Sequence, residues 1–183
     1  MSFFVILHHA MNQLQRAWVW LRRIWYSRGF GVQSPSDYRF VRYVINEHWP
    51  YYAYDELGSG RDWLERKVGE LLFRLANWRR PSTIINQLDY GDYLSAGCRS
   101  ADLQSSADGV VEMACVPITC DFDALQARCD SQSLVVIGDV WRNRRRWQSV
   151  RVHPRVRVAF DLYYCGILLF DPSLSQHHYI VNF

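Results

Sequence analysis

The chain has 183 residues, of which 49% are apolar, 15% aromatic and 21% charged, and its net charge is +3. That length suffices for one sizeable core, and that composition excludes a disordered or collagen-like chain. So mild a charge does not demand nucleic acid or another polyanion as partner.

The opening Met1-Ser-Phe-Phe-Val-Ile-Leu-His-His lacks the basic segment and small-residue cleavage site of a signal peptide. No stretch approaches the roughly 20 apolar residues of a membrane span, so the expectation is a cytoplasmic protein without a transmembrane segment. Residues 3–27 place Leu7, Met11, Leu14, Trp18, Leu21 and Trp25 at helical spacing, with Arg16, Arg22, Arg23 and Arg28 between or after them. This predicts an amphipathic helix laid against its own domain. The alternative is a membrane surface, since Trp and Arg together suit the interface. Gly29-Phe30-Gly31 ends it.

Ser34 and Pro35 start a second helix as N-cap and first residue, with Phe40, Val41, Val44 and Ile45 on its apolar face. It stops near Trp49-Pro50. Tyr51 to Leu57 reads as an aromatic connection, and Gly58-Ser59-Gly60 as a loop. A third helix runs from about Asp62 to Trp78, buried through Val68, Leu71, Leu72 and Leu75, and Pro81 breaks it. Thr83-Ile84-Ile85 is a short strand. Residues 91–106 have weak helical character. Residues 109–116 read as a strand, 121–128 as a short helix and 133–138 as a strand covered on both faces. Residues 156–162, 166–170 and 178–183 are three further strands, too close together for helical crossovers, which predicts an antiparallel arrangement.

The cysteines Cys98, Cys115, Cys120, Cys129 and Cys165 form no C-x-x-C pair and no zinc spacing, so free thiols in a reducing compartment are expected. The pairs His8-His9 and His177-His178 are adjacent, and strand neighbours point to opposite faces. Neither a metal site nor a nucleophilic cysteine is expected.

Gly29-Phe30-Gly31-Val32-Gln33-Ser34-Pro35, followed by Tyr51-Tyr52-Ala53-Tyr54-Asp55, is similar to the N-terminal signature of a bacterial group of class I S-adenosylmethionine methyltransferase-like proteins: G-x-G-V-H-S-P-F, then Y-Y-x-Y-E/D. The stretch from Val152-His153-Pro154 through Asp161-Leu162 and Gly166 to Phe170 resembles the same group's ending, H-P-x-V…D-L-x-x-x-G, and Tyr179 to Phe183 fits too. The match covers roughly residues 27–90 and 133–183.

The fold expected is α/β and Rossmann-like: a mainly parallel sheet with an antiparallel C-terminal edge, preceded by N-terminal helices and reduced in strand number. Residues 1–60 would be a helical segment packed on the core, and residues 61–183 a truncated methyltransferase-like core, in one domain overall. The resemblance implies a cofactor at the carboxyl ends of the strands, in a turn of the form E/D-x-G-x-x-x-G. Here Asn86 stands at the acidic position, the first glycine is absent, and Gly91 alone could serve as the later one, with Asp89 nearby. Glu112 would be a ribose-binding relic or an ordinary strand carboxylate. Asp139 would be a site residue or a helix N-cap. Arg142, Arg144, Arg145 and Arg146, with Trp141 and Trp147, form a basic cluster suited to an anion or single-stranded nucleic acid; the alternative is a solvated helix face.

The functional expectation is therefore a degenerate, non-catalytic binding or scaffolding domain with no cofactor. One alternative is an S-adenosylmethionine-dependent methyltransferase with a divergent loop. A second is nucleic-acid binding through the Arg142–Arg157 region. Self-association is a further possibility that follows from the shortened middle.

Overall fold

The computed structural model describes the backbone of residues 3–183, and side chains from residue 13 onward except those of residues 28 and 29. The side chains of Leu7, His8, His9 and Met11 thus lie outside the described residues. In chain order the elements are α1 (Phe3–Arg22), a 3-10 turn (Ile24–Gly29), α2 (Pro35–Phe40), which runs straight into a π-helical turn (Val41–Ile45), α3 (Ala53–Leu57), α4 (Trp63–Arg79), β1 (Thr83–Asn86), α5 (Gly91–Gly97), β2 (Asp102–Gln104), β3 (Val111–Pro117), α6 (Phe122–Ala127), β4 (Cys129–Gly138), α7 (Arg144–Arg151), β5 (Val158–Asp161), β6 (Cys165–Leu169) and β7 (His177–Ile180).

The sheet has seven strands in the order β2-β1-β3-β4-β6-β5-β7. Strands β2, β1, β3 and β4 are mutually parallel. β6 runs against both β4 and β5. The fold is thus the expected Rossmann-like α/β arrangement, with antiparallel pairing confined to the C-terminal half. One detail differs: β7, expected to continue the antiparallel run, is parallel to β5. No long crossover is needed, because β6 has already carried the chain back to the starting end of β5.

Alternation along β4 builds two cores. Leu134 and Val136 face the layer of α2 and α4, where they meet Phe40, Val44, Leu71, Leu72 and Leu75. Val135 and Ile137 face α6 and α7, where they meet Phe122, Leu125, Trp147 and Val150. Each fully buried Leu or Val contributes about 2 kcal/mol of apolar transfer free energy.

Local signals explain most element ends. Asp62 and Glu65 form a reciprocal capping box at the start of α4, with both bonds at 2.9 Å. Ser34 caps α2, with Pro35 at its first position. The π-helical turn ends at Ile45 rather than near Trp49. The buried Arg74 of α4 takes its last carbonyls, donating to Val44 O at 2.9 Å and Ile45 O at 3.0 Å. The aromatic connection at 51–57 contains a helical turn, α3. Tyr51 and Tyr54 pack on Phe73 of α4, with ring centroids 5.0 and 5.3 Å away. Residues 91–106 resolve into α5 and the edge strand β2. The interval between β1 and β4 accordingly holds two strands and two short helices, more than its length suggested.

One expectation is reversed. Leu14, Trp18, Leu21 and Trp25 do not lie against the domain but are 56–77% exposed. The half-buried edge of this segment carries Arg16, Val19 and Arg23 instead. Arg16 stacks over Trp63 at 4.7 Å, and Arg23 reaches Asp161 at 2.8 Å. These two polar anchors set the rotation of the helix and turn its apolar stripe outward.

Candidate functional site

Strand order reverses at β1: the chain passes to β2 on one side and returns to β3 on the other. In open α/β sheets a ligand lies in the crevice outside the carboxyl ends at such a point. Asn86 ends β1, Asp89 lies in the following turn, Gly91 opens α5, and Asp139 follows β4. All four are at this end of the sheet.

The turn after β1 is hydrogen-bonded both to β3 and within itself. Gln87 N donates to Cys115 O at 2.8 Å, and Tyr90 N to Leu88 O at 2.9 Å. Asn86 Oδ1 is spent on Leu88 N at 3.2 Å. Left-handed glycines occur at Gly31, Gly60 and Gly109, and not at Gly91. A Cβ on Gly91 would meet Asn86 Nδ2 at 3.5 Å and Leu103 Cδ2 at 3.6 Å, which is ordinary contact. Neither backbone conformation nor close approach requires a glycine here, unlike the cradle such a cofactor uses.

Apolar groups occupy the space instead. Leu88 packs on the main core and against Gly138, where an added Cβ would lie 3.1 Å from both its δ carbons. Tyr90 joins the same core, and burial pushes its phenol well up from the ordinary value. Arg61 covers the turn from outside. It forks onto Asp92 at 3.0 and 3.1 Å, donates to Asp89 O at 3.0 Å, and stacks over Tyr90 and Tyr93.

Comparison with protein-family models, curated proteins and solved structures gives no match.

Glu112 and Asp139 lie at opposite ends of the sheet. Glu112 stands near the amino end of β3, where its Oε2 accepts from Ser82 N at 2.8 Å. It fastens the entry to β1 at the end of the sheet opposite the crevice. Asp139 is not the N-cap of α7. That role falls to Asn143, whose Oδ1 accepts from Arg146 N at 3.0 Å. Asp139 has left-handed backbone and an exposed carboxylate paired with Arg142 at 3.1 Å.

The arginine cluster is divided among separate partners. Arg142 stacks on Trp141 and pairs with Asp139. Arg144 turns inward to Asp161, Arg146 donates to Cys120 O, and Arg145 is exposed. Arg155 donates to Ala127 O and Cys129 O, and Arg157 to Leu174 O. Arg146, Arg155 and Arg157 thus bond carbonyls of neighbouring segments, while Arg142 and Arg145 remain exposed.

The group that sequence reasoning missed is Asp161. Its carboxylate is 3% exposed and takes Arg23 Nη2 at 2.8 Å, both Arg144 Nη atoms, Trp147 Nε1 at 2.9 Å and Tyr163 N at 2.9 Å. Burial alone would raise its pKa. The hydrogen bonds from Arg144 and the charge of Arg23 outweigh burial and hold it at about 2. The signal was present in the D-L-x-x-x-G stretch, which places Asp161 opposite Gly166 across the β5–β6 hairpin.

Burial pushes the thiols of Cys129 and Cys165 up to about 11 and about 12, so neither presents a thiolate nucleophile near neutral pH. Among the described residues no group of three or more His, Cys, Asp or Glu side chains could hold a metal ion, and no helix is long and apolar enough to cross a membrane. A cleft of about 720 Å³ is lined by Trp20, Trp63, Lys67, Arg74 and Phe183, among others. Burial, then the charge of Arg74, lowers the pKa of Lys67.

Proposed function

We propose that this chain is a methyltransferase-like α/β domain that no longer holds S-adenosylmethionine and acts as a non-catalytic binding or scaffolding protein. The packing of Leu88 against Gly138 is the observation that carries this reading. A pocket for a ligand of this size needs about 300 Å³ or more, and Leu88 and Tyr90 stand where it would be. The turn also lacks the glycine geometry that admits a cofactor to the backbone, and the Oδ1 of its best polar group, Asn86, is engaged within the turn. Binding work then falls to the surfaces away from the crevice.

Thermal unfolding with and without the cofactor tests this. A ligand present at a hundred times its Kd stabilises by about 2.7 kcal/mol, which would move the Tm of a chain this long by several degrees. The expected shift with S-adenosylmethionine or S-adenosylhomocysteine is none. A saturable rise in Tm with either would support a methyltransferase with a rebuilt loop instead.

A further inference from the structure

Leu14, Trp18 and Leu21 follow one another at i, i+4 and i+7 on α1, and Trp25 continues the line into the 3-10 turn. All four are exposed. Gln15 and Arg22 flank the stripe on one edge and Gln13 on the other, and the guanidinium of Arg22 stacks on the Trp18 ring at 5.6 Å. The opposite edge is bolted to the domain through Arg16 on Trp63 and Arg23 on Asp161. The apolar face is thus held outward by contacts that would be lost if the helix rolled inward. A contiguous apolar stripe of this kind marks an interaction surface.

Charge identifies the occupant. Residues 1–36 contain Arg16, Arg22, Arg23 and Arg28 and no Asp or Glu. The first carboxylate, Asp37, is buried. Arg23 is paired with Asp161, but a second copy of this chain would still bring together two segments whose remaining arginines, Arg22 among them, have no carboxylate within residues 1–36. An anionic lipid leaflet supplies the missing counter-charge, accepts the leucines into its acyl boundary and takes the indoles at headgroup level. We propose that α1 lies in the headgroup region of an anionic bilayer and holds the α/β domain at that surface. No helix of the described residues can span the bilayer, so this is attachment in the plane of the interface. It stands whether or not the crevice takes a cofactor.

Co-sedimentation of the full chain with phosphatidylcholine vesicles, with and without phosphatidylglycerol, tests the proposal. An arginine at an anionic surface is worth about a fivefold gain in partition. The protein should therefore favour the anionic vesicles by about fivefold or more, and Arg22→Glu should lower that binding by at least as much. Trp18→Glu with Trp25→Glu should abolish it while leaving the circular dichroism spectrum unchanged. Three outcomes would overturn the proposal: equal recovery with both vesicle types, binding indifferent to these substitutions, or a lipid-free dimer in light scattering that the tryptophan substitutions dissociate.

Discussion

The δ carbons of Leu88 stand 3.1 Å from the point where Gly138 would carry a Cβ, so the turn after β1 lies directly across the carboxyl end of β4. Gly138 carries no side chain at the carboxyl end of β4. In the fold it is the clearance that receives Leu88.

Leu88→Ala should remove part of this packing. Leu88 is half-buried, so the cost should sit near the low end for such truncations, about 2 kcal/mol. Urea denaturation would measure it as a lower midpoint at unchanged slope. The shortened side chain should not restore cofactor binding, because the turn still lacks a glycine cradle.

Arg61 should tether the same turn. Its contacts with Asp92 and the Asp89 carbonyl are partly exposed, so Arg61→Ala should cost only about 1 kcal/mol. Its clearer effect should be local: faster amide exchange over residues 87–92, with exchange in β3 and β4 unchanged.

Asp161 should contribute to the acid limb of stability. Its folded pKa of about 2 lies below the ordinary carboxylate value, so the folded state binds its proton less readily than the unfolded chain. The contribution, about 2.6 kcal/mol, is complete above the unfolded value of about 3.9 and is lost as pH falls toward 2. Asp161→Asn should destabilise at neutral pH by about 3 kcal/mol, because Arg23 and Arg144 lose their shared counter-charge. Chemical denaturation at several pH values should show a shallower acid limb in the variant.

Gly166→Ala should be among the most damaging single-methyl additions. The new Cβ would fall 2.1 Å from the Trp147 ring, which is fully buried and hydrogen-bonded to Asp161. Overpacking of that severity costs about 3 kcal/mol, seen as a fall in Tm. Asp161 and Gly166 face each other across the β5–β6 hairpin and serve the same indole, one by accepting its N–H and the other by making room. The Asp and Gly of the D-L-x-x-x-G stretch thus have structural roles, one through ion pairs and hydrogen bonds and the other through clearance for Trp147.

The elements legible in sequence were those whose signals are local. The start of α4 near Asp62, the Ser34-Pro35 helix start and the apolar run of β4 depend on neighbours in the chain. Those missed depend on distant partners. β2 has one apolar residue, Leu103, and forms because β1 offers it an open edge. α3 forms where Tyr51 and Tyr54 meet Phe73. The Asn143 cap lies four residues beyond the aspartate that seemed the better candidate. At the site, the sequence located the right turn but not what fills it, since nothing local says that Leu88 meets Gly138. It could not show the outward rotation of α1 either, because periodicity identifies an apolar face without saying what that face touches.

Isothermal titration calorimetry of the intact chain with S-adenosylmethionine, repeated with S-adenosylhomocysteine, tests the central claim most directly. A closed crevice predicts no binding heat above dilution for either compound. Saturable binding with a micromolar Kd would show that Leu88 and Tyr90 yield to the cofactor, and would contradict the account.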